Sequence, residues 1–196
     1  MDGLLFQSQS SWSLFWLNVT IYALTTLWRM QVDVWIPVKY FDPDRWWFRI
    51  RDWERQGDFY KDNLRIERWK DKLPAVNGRN HFSKRHLVGS DPAYLRQFII
   101  ETCRGESNHV RAVLSVIPMR LWTPVDLWLV CLLIALVGNL PFVLIQRYNR
   151  PRLQRALVRV ERRALEAAAS PTPIEARAAR ESGPRDDDTD LQPARA

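Results

Sequence analysis

Glu106 and His109 form the pairing in this sequence best suited to proton chemistry. Three residues apart on a helix, their side chains are neighbours. On a 100° wheel, Leu95, Ile99, Thr102, Val110, Val113 and Ile117 gather on one face of the segment from Ala93 to Ile117. Glu106 and His109 fall on that apolar face, while Glu101, Arg104, Asn108, Arg111 and Ser115 take the other. A carboxylate on an apolar face is costly unless it is paired or neutral. The pair therefore reads as a dyad in which His109 takes a hydroxyl proton and Glu106 fixes its tautomer. A purely structural Glu–His hydrogen bond explains the same spacing, and Gly105 can break the helix and shift the register.

A second constellation is Arg147, Tyr148, Asn149, Arg150 and Arg152 around Pro151. Arginine binds phosphate in a bidentate manner, so a lipid headgroup or the pyrophosphate of an acyl thioester donor fits Arg147 and Arg150. The same charges also serve as a stop-transfer anchor. Such an anchor needs only charge, and requires neither Asn149 nor a Pro151 break. Arg65 to Lys72 forms a further basic and aromatic face. His86 and Asp91 have the spacing of a glycerol-phosphate acyltransferase base and its orienting acid. Asp91, however, already suits the N-cap of a helix beginning at Pro92. The sequence contains no P-loop, dinucleotide fingerprint or nucleophile elbow, and neither Cys103 nor Cys131 has metal or redox spacing. No metal or redox cofactor is implied.

These residues need elements to position them. Trp128 to Ile145 runs for 18 residues without a charge, with Asn139 its one strongly polar side chain. That length predicts a membrane-spanning helix. Arg147 and Tyr148 at its end suit a cytoplasmic boundary. Residues 12–28 form a less apolar segment with a Trp at each end, predicted as a retained membrane helix rather than a cleaved signal peptide. Residues 1–11 are a short N-terminal segment before it. Residues 29–104 hold 16 Lys/Arg against 11 Asp/Glu, an excess that predicts a cytoplasmic location. Aromatic and charged residues interleave there, as in amphipathic helices lying in the headgroup layer or packed on their own domain. Helices are predicted after Asp44 and over Lys61 to Leu73, with a turn at Asn77-Gly78. Residues 105–146 are predicted as a membrane hairpin, 147–169 as a basic juxtamembrane helix and 170–196 as a disordered tail. The fold class is mostly α, an integral membrane protein. The net charge of +7 suits anionic lipid, and nothing in the sequence indicates nucleic acid as a partner.

The chain resembles the glycosyl-4,4'-diaponeurosporenoate acyltransferase family of staphyloxanthin-type carotenoid biosynthesis. The resemblance covers roughly Ile36 to Leu157. It rests on Arg68-Trp69-Lys70-Asp71-Lys72-Leu73, Lys84-Arg85-His86-Leu87, Glu101-Thr102-Cys103-Arg104-Gly105-Glu106-Ser107-Asn108-His109, and Asn139-Leu140-Pro141 leading to Gln146-Arg147-Tyr148-Asn149-Arg150-Pro151-Arg152-Leu153. The chain departs from the family pattern at Gly105 and Val110. The resemblance implies esterification of the glucose 6-hydroxyl of a glycosylated carotenoid acid with a fatty acyl chain, in the bacterial cell membrane. It implies no bound cofactor, but an acyl donor such as acyl-CoA or acyl carrier protein as co-substrate, with other carotenoid-pathway enzymes as partners. The expected catalytic residues are His109 and Glu106, and the expected substrate-binding residues Arg147, Tyr148, Asn149 and Arg150. The alternatives are an acyltransferase for another glycolipid and a non-catalytic membrane assembly protein.

Overall fold

The computed structural model describes residues 11–33, 35–73 and 91–169. His86, the Asn77-Gly78 turn, the first ten residues and the tail from 170 lie outside the described residues. Within them the α-helices are α1 (Ser11–Val32), α2 (Asp58–Asp62), α3 (Pro92–Leu114) and α4 (Val125–Ala169). Short 3-10 turns occupy Val38–Phe41, Asp52–Gly57, Ile66–Arg68, Lys70–Lys72 and Ile117–Leu121. No strand occurs among the described residues.

Helix α3 starts as its sequence predicts. Asp91 Oδ1 accepts the Ala93 N–H at 2.9 Å, and Pro92 occupies the first turn. Gly105 does not break the helix. Its missing side chain lets α4 come close, since a Cβ there would lie 3.0 Å from Gln146 Nε2. The buried stripe of α3 is Leu95, Phe98, Ile99, Thr102, Cys103, Glu106 and Ala112. The predicted face was rotated from this one, as Val110 and Ile117 are exposed. The turn at Ile117–Leu121, with Pro118 inside it and Pro124 just beyond, reverses the chain, and α4 runs back along α3. The pair forms a helical hairpin whose arms extend past residues 105 and 146.

Helix α4 is one element of 45 residues that carries both the apolar run and the basic stretch beyond it. It is the one helix among the described residues long and apolar enough to cross a membrane. At 1.5 Å per residue it is about 67 Å long, roughly twice a hydrocarbon core. Pro141 and Pro151 lie inside it without ending it. Each removes one N–H from the helical ladder, and neighbouring packing makes up the loss.

Residues 35–73 differ most from expectation. The predicted helix after Asp44 is absent: the Asp42 side chain instead accepts the Asp44 N–H at 2.9 Å, a local turn bond that competes with helix. The helix predicted over Lys61 to Leu73 ends at Asp62, and Arg65 takes a left-handed conformation with φ 46°. The result is a string of turns laid against α3 and α4. Phe41 and Phe48 pack on Cys103, while Tyr60 and Ile66 pack on Tyr148. Arg55, Gln56 and Gly57 are all left-handed, folding the chain sharply beneath α4. A Cβ on Gly57 would approach Pro151 Cγ and the Tyr148 carbonyl oxygen, both at 3.2 Å.

Helix α1 rests beside this hairpin. Asn18 donates to Thr123 Oγ1 at 3.0 Å and accepts from the Trp122 indole at 2.9 Å. At its other end Asp33 pairs with Arg111. Gly57→Ala combines a positive φ with a close backbone neighbour. It is expected to destabilise the protein by about 1–3 kcal/mol, read as a lower denaturation midpoint of the detergent-solubilised chain.

Candidate active site

The polar side chains between α3 and α4 form two layers. The layer at the basic end is a ladder of four charges, three buried and Arg147 largely so. Glu106 on α3 gives one oxygen to Arg147 Nη1 at 2.7 Å and the other to Arg150 Nη2. Arg147 also donates to both oxygens of Glu54, from Nη2 at 2.5 Å and from Nε at 3.2 Å. Glu54, completely buried, further accepts the Tyr60 hydroxyl at 2.8 Å and the Arg51 N–H at 3.1 Å. Arg150 is likewise fully enclosed. Its Nε donates to Thr102 Oγ1 at 3.0 Å and its Nη1 to the Phe48 carbonyl at 2.6 Å. The two carboxylates balance the two guanidiniums, which makes this much buried charge tolerable.

Electrostatics follow from the geometry. Burial works against the charge on Arg147, but Glu54 and Glu106 overcome it and hold its pKa above the usual arginine value. Burial, followed by the bond to Glu54, raises the Tyr60 phenol. Tyr148 is pushed up to about 12, first by burial and then by its hydrogen bond to Glu67 at 2.6 Å. That bond is the leading reason the Glu67 carboxyl is lowered. Burial pushes the Cys103 thiol up to about 11, away from nucleophilic chemistry at neutral pH.

The second layer lies level with the apolar stretch of α4. His109 Nδ1 faces Asn139 Oδ1 at 3.0 Å, and its ring stacks on Phe142 with centroids 4.7 Å apart and planes 7° from parallel. Asn139 Nδ2 donates to the Tyr22 hydroxyl and the Ala135 carbonyl, each at 2.8 Å. Those two bonds identify Nδ2 as the donor, so Oδ1 is the acceptor turned to the imidazole. Nδ1 then carries the proton in neutral His109, and Nε2 carries the lone pair.

The structure thus keeps Glu106 and His109 on the face of α3 that meets α4, but gives them different partners. Glu106 engages two arginines, and Asn139 holds the imidazole. Arg150 and Tyr148, expected to bind substrate, are internal. They fasten α4 to Thr102, Phe48 and Glu67. Arg147 retains a small exposed edge, and Asn149 is half-buried. Glu54, Thr102, Tyr22 and Asn139 were not assigned to the site from the sequence. Only Asn139 carried a signal there, as the one strongly polar residue in an apolar run. Among the described residues, no group of His, Cys, Asp or Glu side chains is suited to hold a metal ion.

The sequence pattern described as glycosyl-4,4'-diaponeurosporenoate acyltransferase matches residues 44–159. Proteins of that name from Staphylococcus aureus strains bovine RF122 / ET3-1 and MRSA252 are each 32% identical over 130 residues, covering 65% of this chain and 78% of theirs. The protein of that name from strain N315 is 31% identical over the same coverage. No solved structure matches the chain. The matched residues include both polar layers except Tyr22.

Removing one member of the ladder leaves an uncompensated buried charge, which costs about 3–5 kcal/mol. Glu54→Ala is expected to lower stability by that amount. Hydrogen exchange should show protection lost over residues 52–66, while α3 and α4 keep theirs.

Proposed function

The chain belongs to the glycosyl-4,4'-diaponeurosporenoate acyltransferase family and is an acyltransferase; on that premise we propose that it esterifies the glucose 6-hydroxyl of a glycosylated carotenoid acid with a fatty acyl chain. This is the closing step of a staphyloxanthin-type pigment. It takes place in the bacterial cell membrane with the polar region on the cytoplasmic side. The arginines that follow the apolar half of α4 support that orientation. The relatives' names support the acceptor. The observation that carries the mechanism is the Tyr22–Asn139–His109 chain of hydrogen bonds at the level of the apolar stretch.

In the proposed reaction His109 Nε2 removes the proton of the sugar hydroxyl. The oxygen attacks the acyl carbonyl carbon of the donor, a fatty acyl thioester of coenzyme A or acyl carrier protein. A carbon–oxygen bond forms and the carbonyl electrons move to oxygen. On collapse the carbon–sulfur bond breaks, and the proton held by His109 passes to the departing thiolate. Asn139 Oδ1 stabilises the imidazolium Nδ1–H while this happens. Asn139 is a positioning residue, fixed in turn by Tyr22. Glu106 acts further out, holding Arg147 and Arg150 rather than the imidazole. Phe142 keeps the imidazole plane fixed and one of its faces dry.

His109→Ala is expected to reduce ester formation by about 10²–10⁴-fold in a pigment-producing host, with normal membrane levels of the protein. Asn139→Ala should lower kcat more than it raises KM and move the pH–rate profile, because the imidazole loses its fixed tautomer. Tyr22→Phe should produce a weaker version of the same change. Full ester formation by His109→Ala would overturn the proposed base.

A further inference from the structure

With Arg150 enclosed and Arg147 bound by two carboxylates, the phosphate-binding role first given to them needs another location. A cleft of about 540 Å³ opens beside them, lined by Arg49, Ile50, Arg51, Asp52 and Trp53. It is open to solvent and lined mainly by polar and charged residues. Its position is fixed by the ladder. Arg147 donates to the Arg49 carbonyl and to the Trp47 carbonyl, each at 3.2 Å, so one wall of the cleft hangs from the residue that grips Glu106. Glu106 is one helical turn from His109.

Three of the five side chains lining the cleft are charged. Arg51 Nη2 donates to the Trp46 carbonyl at 2.6 Å, and its guanidinium sits 5.8 Å from the Trp46 ring centroid. That bond uses one of its five N–H groups and holds the rest of the fork in place. Arg49 is exposed on the same short stretch. Trp53 is 58% exposed, with its ring buttressed edge-on by Phe59 at 5.1 Å. Arg49, Arg51 and Trp53 line one open cleft, and arginine with an indole is a combination that suits a phosphate attached to a flat or amide-bearing group. Asp52, also in the lining, opposes a bare anion but accepts hydrogen bonds from the amides and hydroxyls that accompany such a phosphate.

Building on the acyl-transfer reading above, we propose that the cleft between Arg49, Arg51 and Trp53 receives the phosphate-bearing pantetheine arm of the acyl thioester donor. The arm then runs along the Arg147 edge, and the thioester meets His109 where the acyl chain enters lipid. The phosphate is common to coenzyme A and to holo acyl carrier protein.

The test measures binding to the full-length chain in detergent micelles, with coenzyme A, pantetheine without phosphate, and holo and apo acyl carrier protein as probes. Either coenzyme A or the holo carrier should bind at least about tenfold more tightly than pantetheine or the apo carrier, and whichever does so identifies the source. Arg49→Ala should weaken that probe by about tenfold and raise the donor KM, leaving the acceptor KM in place. Arg51→Lys keeps the charge but loses the fork, and should show a smaller loss. Equal binding of coenzyme A and pantetheine, with neither carrier form preferred, would overturn the proposal. So would an Arg49→Ala variant that loses only its retention on anionic vesicles, which would make the cleft a headgroup contact. His109→Ala separates the two readings. It should bind the probe normally while losing turnover; if it stays active, the base is wrong and the cleft still stands.

Discussion

Arg147 holds three parts of the chain at one point. Its guanidinium reaches Glu54 in the turn-rich segment, Glu106 on α3, and the carbonyls of Trp47 and Arg49, all from α4. Arg150, one turn further, repeats the arrangement with Glu106, Thr102 and Phe48. The apolar contacts nearby are modest: Phe41 and Phe48 on Cys103, and Tyr60 and Ile66 on Tyr148. Segment 35–73 has little regular secondary structure with which to hold its own shape. The charge ladder supplies geometry that those small clusters leave open, because each buried ion permits only arrangements that satisfy it.

A different logic operates one layer away. In the proposed membrane setting, lipid around the apolar part of α4 would offer helices no hydrophobic reason to associate, and packing plus interhelical hydrogen bonds would have to do so. Val116, Met119 and Ala135 provide the packing, with Trp122 and Trp128 around them. Asn18 with Thr123 and Trp122, and Asn139 with Tyr22, provide the bonds. The Asn139 amide both ties α1 to α4 and orients His109. Adhesion between helices and placement of the imidazole are therefore one network.

The sequence disclosed some of this. Long periodic elements were legible: α3 from its Asp91-Pro92 cap, the apolar half of α4 from its uncharged run, and Glu106 with His109 on the packed face. Their partners were not legible, because they come from distant positions. Glu54 is 93 residues from Arg147, and Tyr22 is 117 from Asn139. Helical spacing made Glu106 and His109 look like each other's natural partner, but a wheel shows one helix only. In segment 35–73 helix propensity was overridden by Asx bonding at Asp42 and left-handed residues at Arg55, Gln56 and Arg65. Those conformations hold because tertiary contacts fix them: Arg155 on α4 donates to the Gln56 carbonyl at 3.0 Å.

The unbroken course of α4 also sets a depth. In the proposed membrane setting, one continuous helix that begins among Leu129, Val130 and Leu133 and ends among charged residues would hold every group along it at a set height relative to the bilayer. Asn139, and His109 bound to it, would then stay below the rim defined by Arg147. Substrates with long hydrocarbon tails would meet there by sliding sideways within one leaflet, with only their end groups raised to the rim. Encounter would become a two-dimensional search, and a product lacking the free hydroxyl could drift away without its chains ever crossing water.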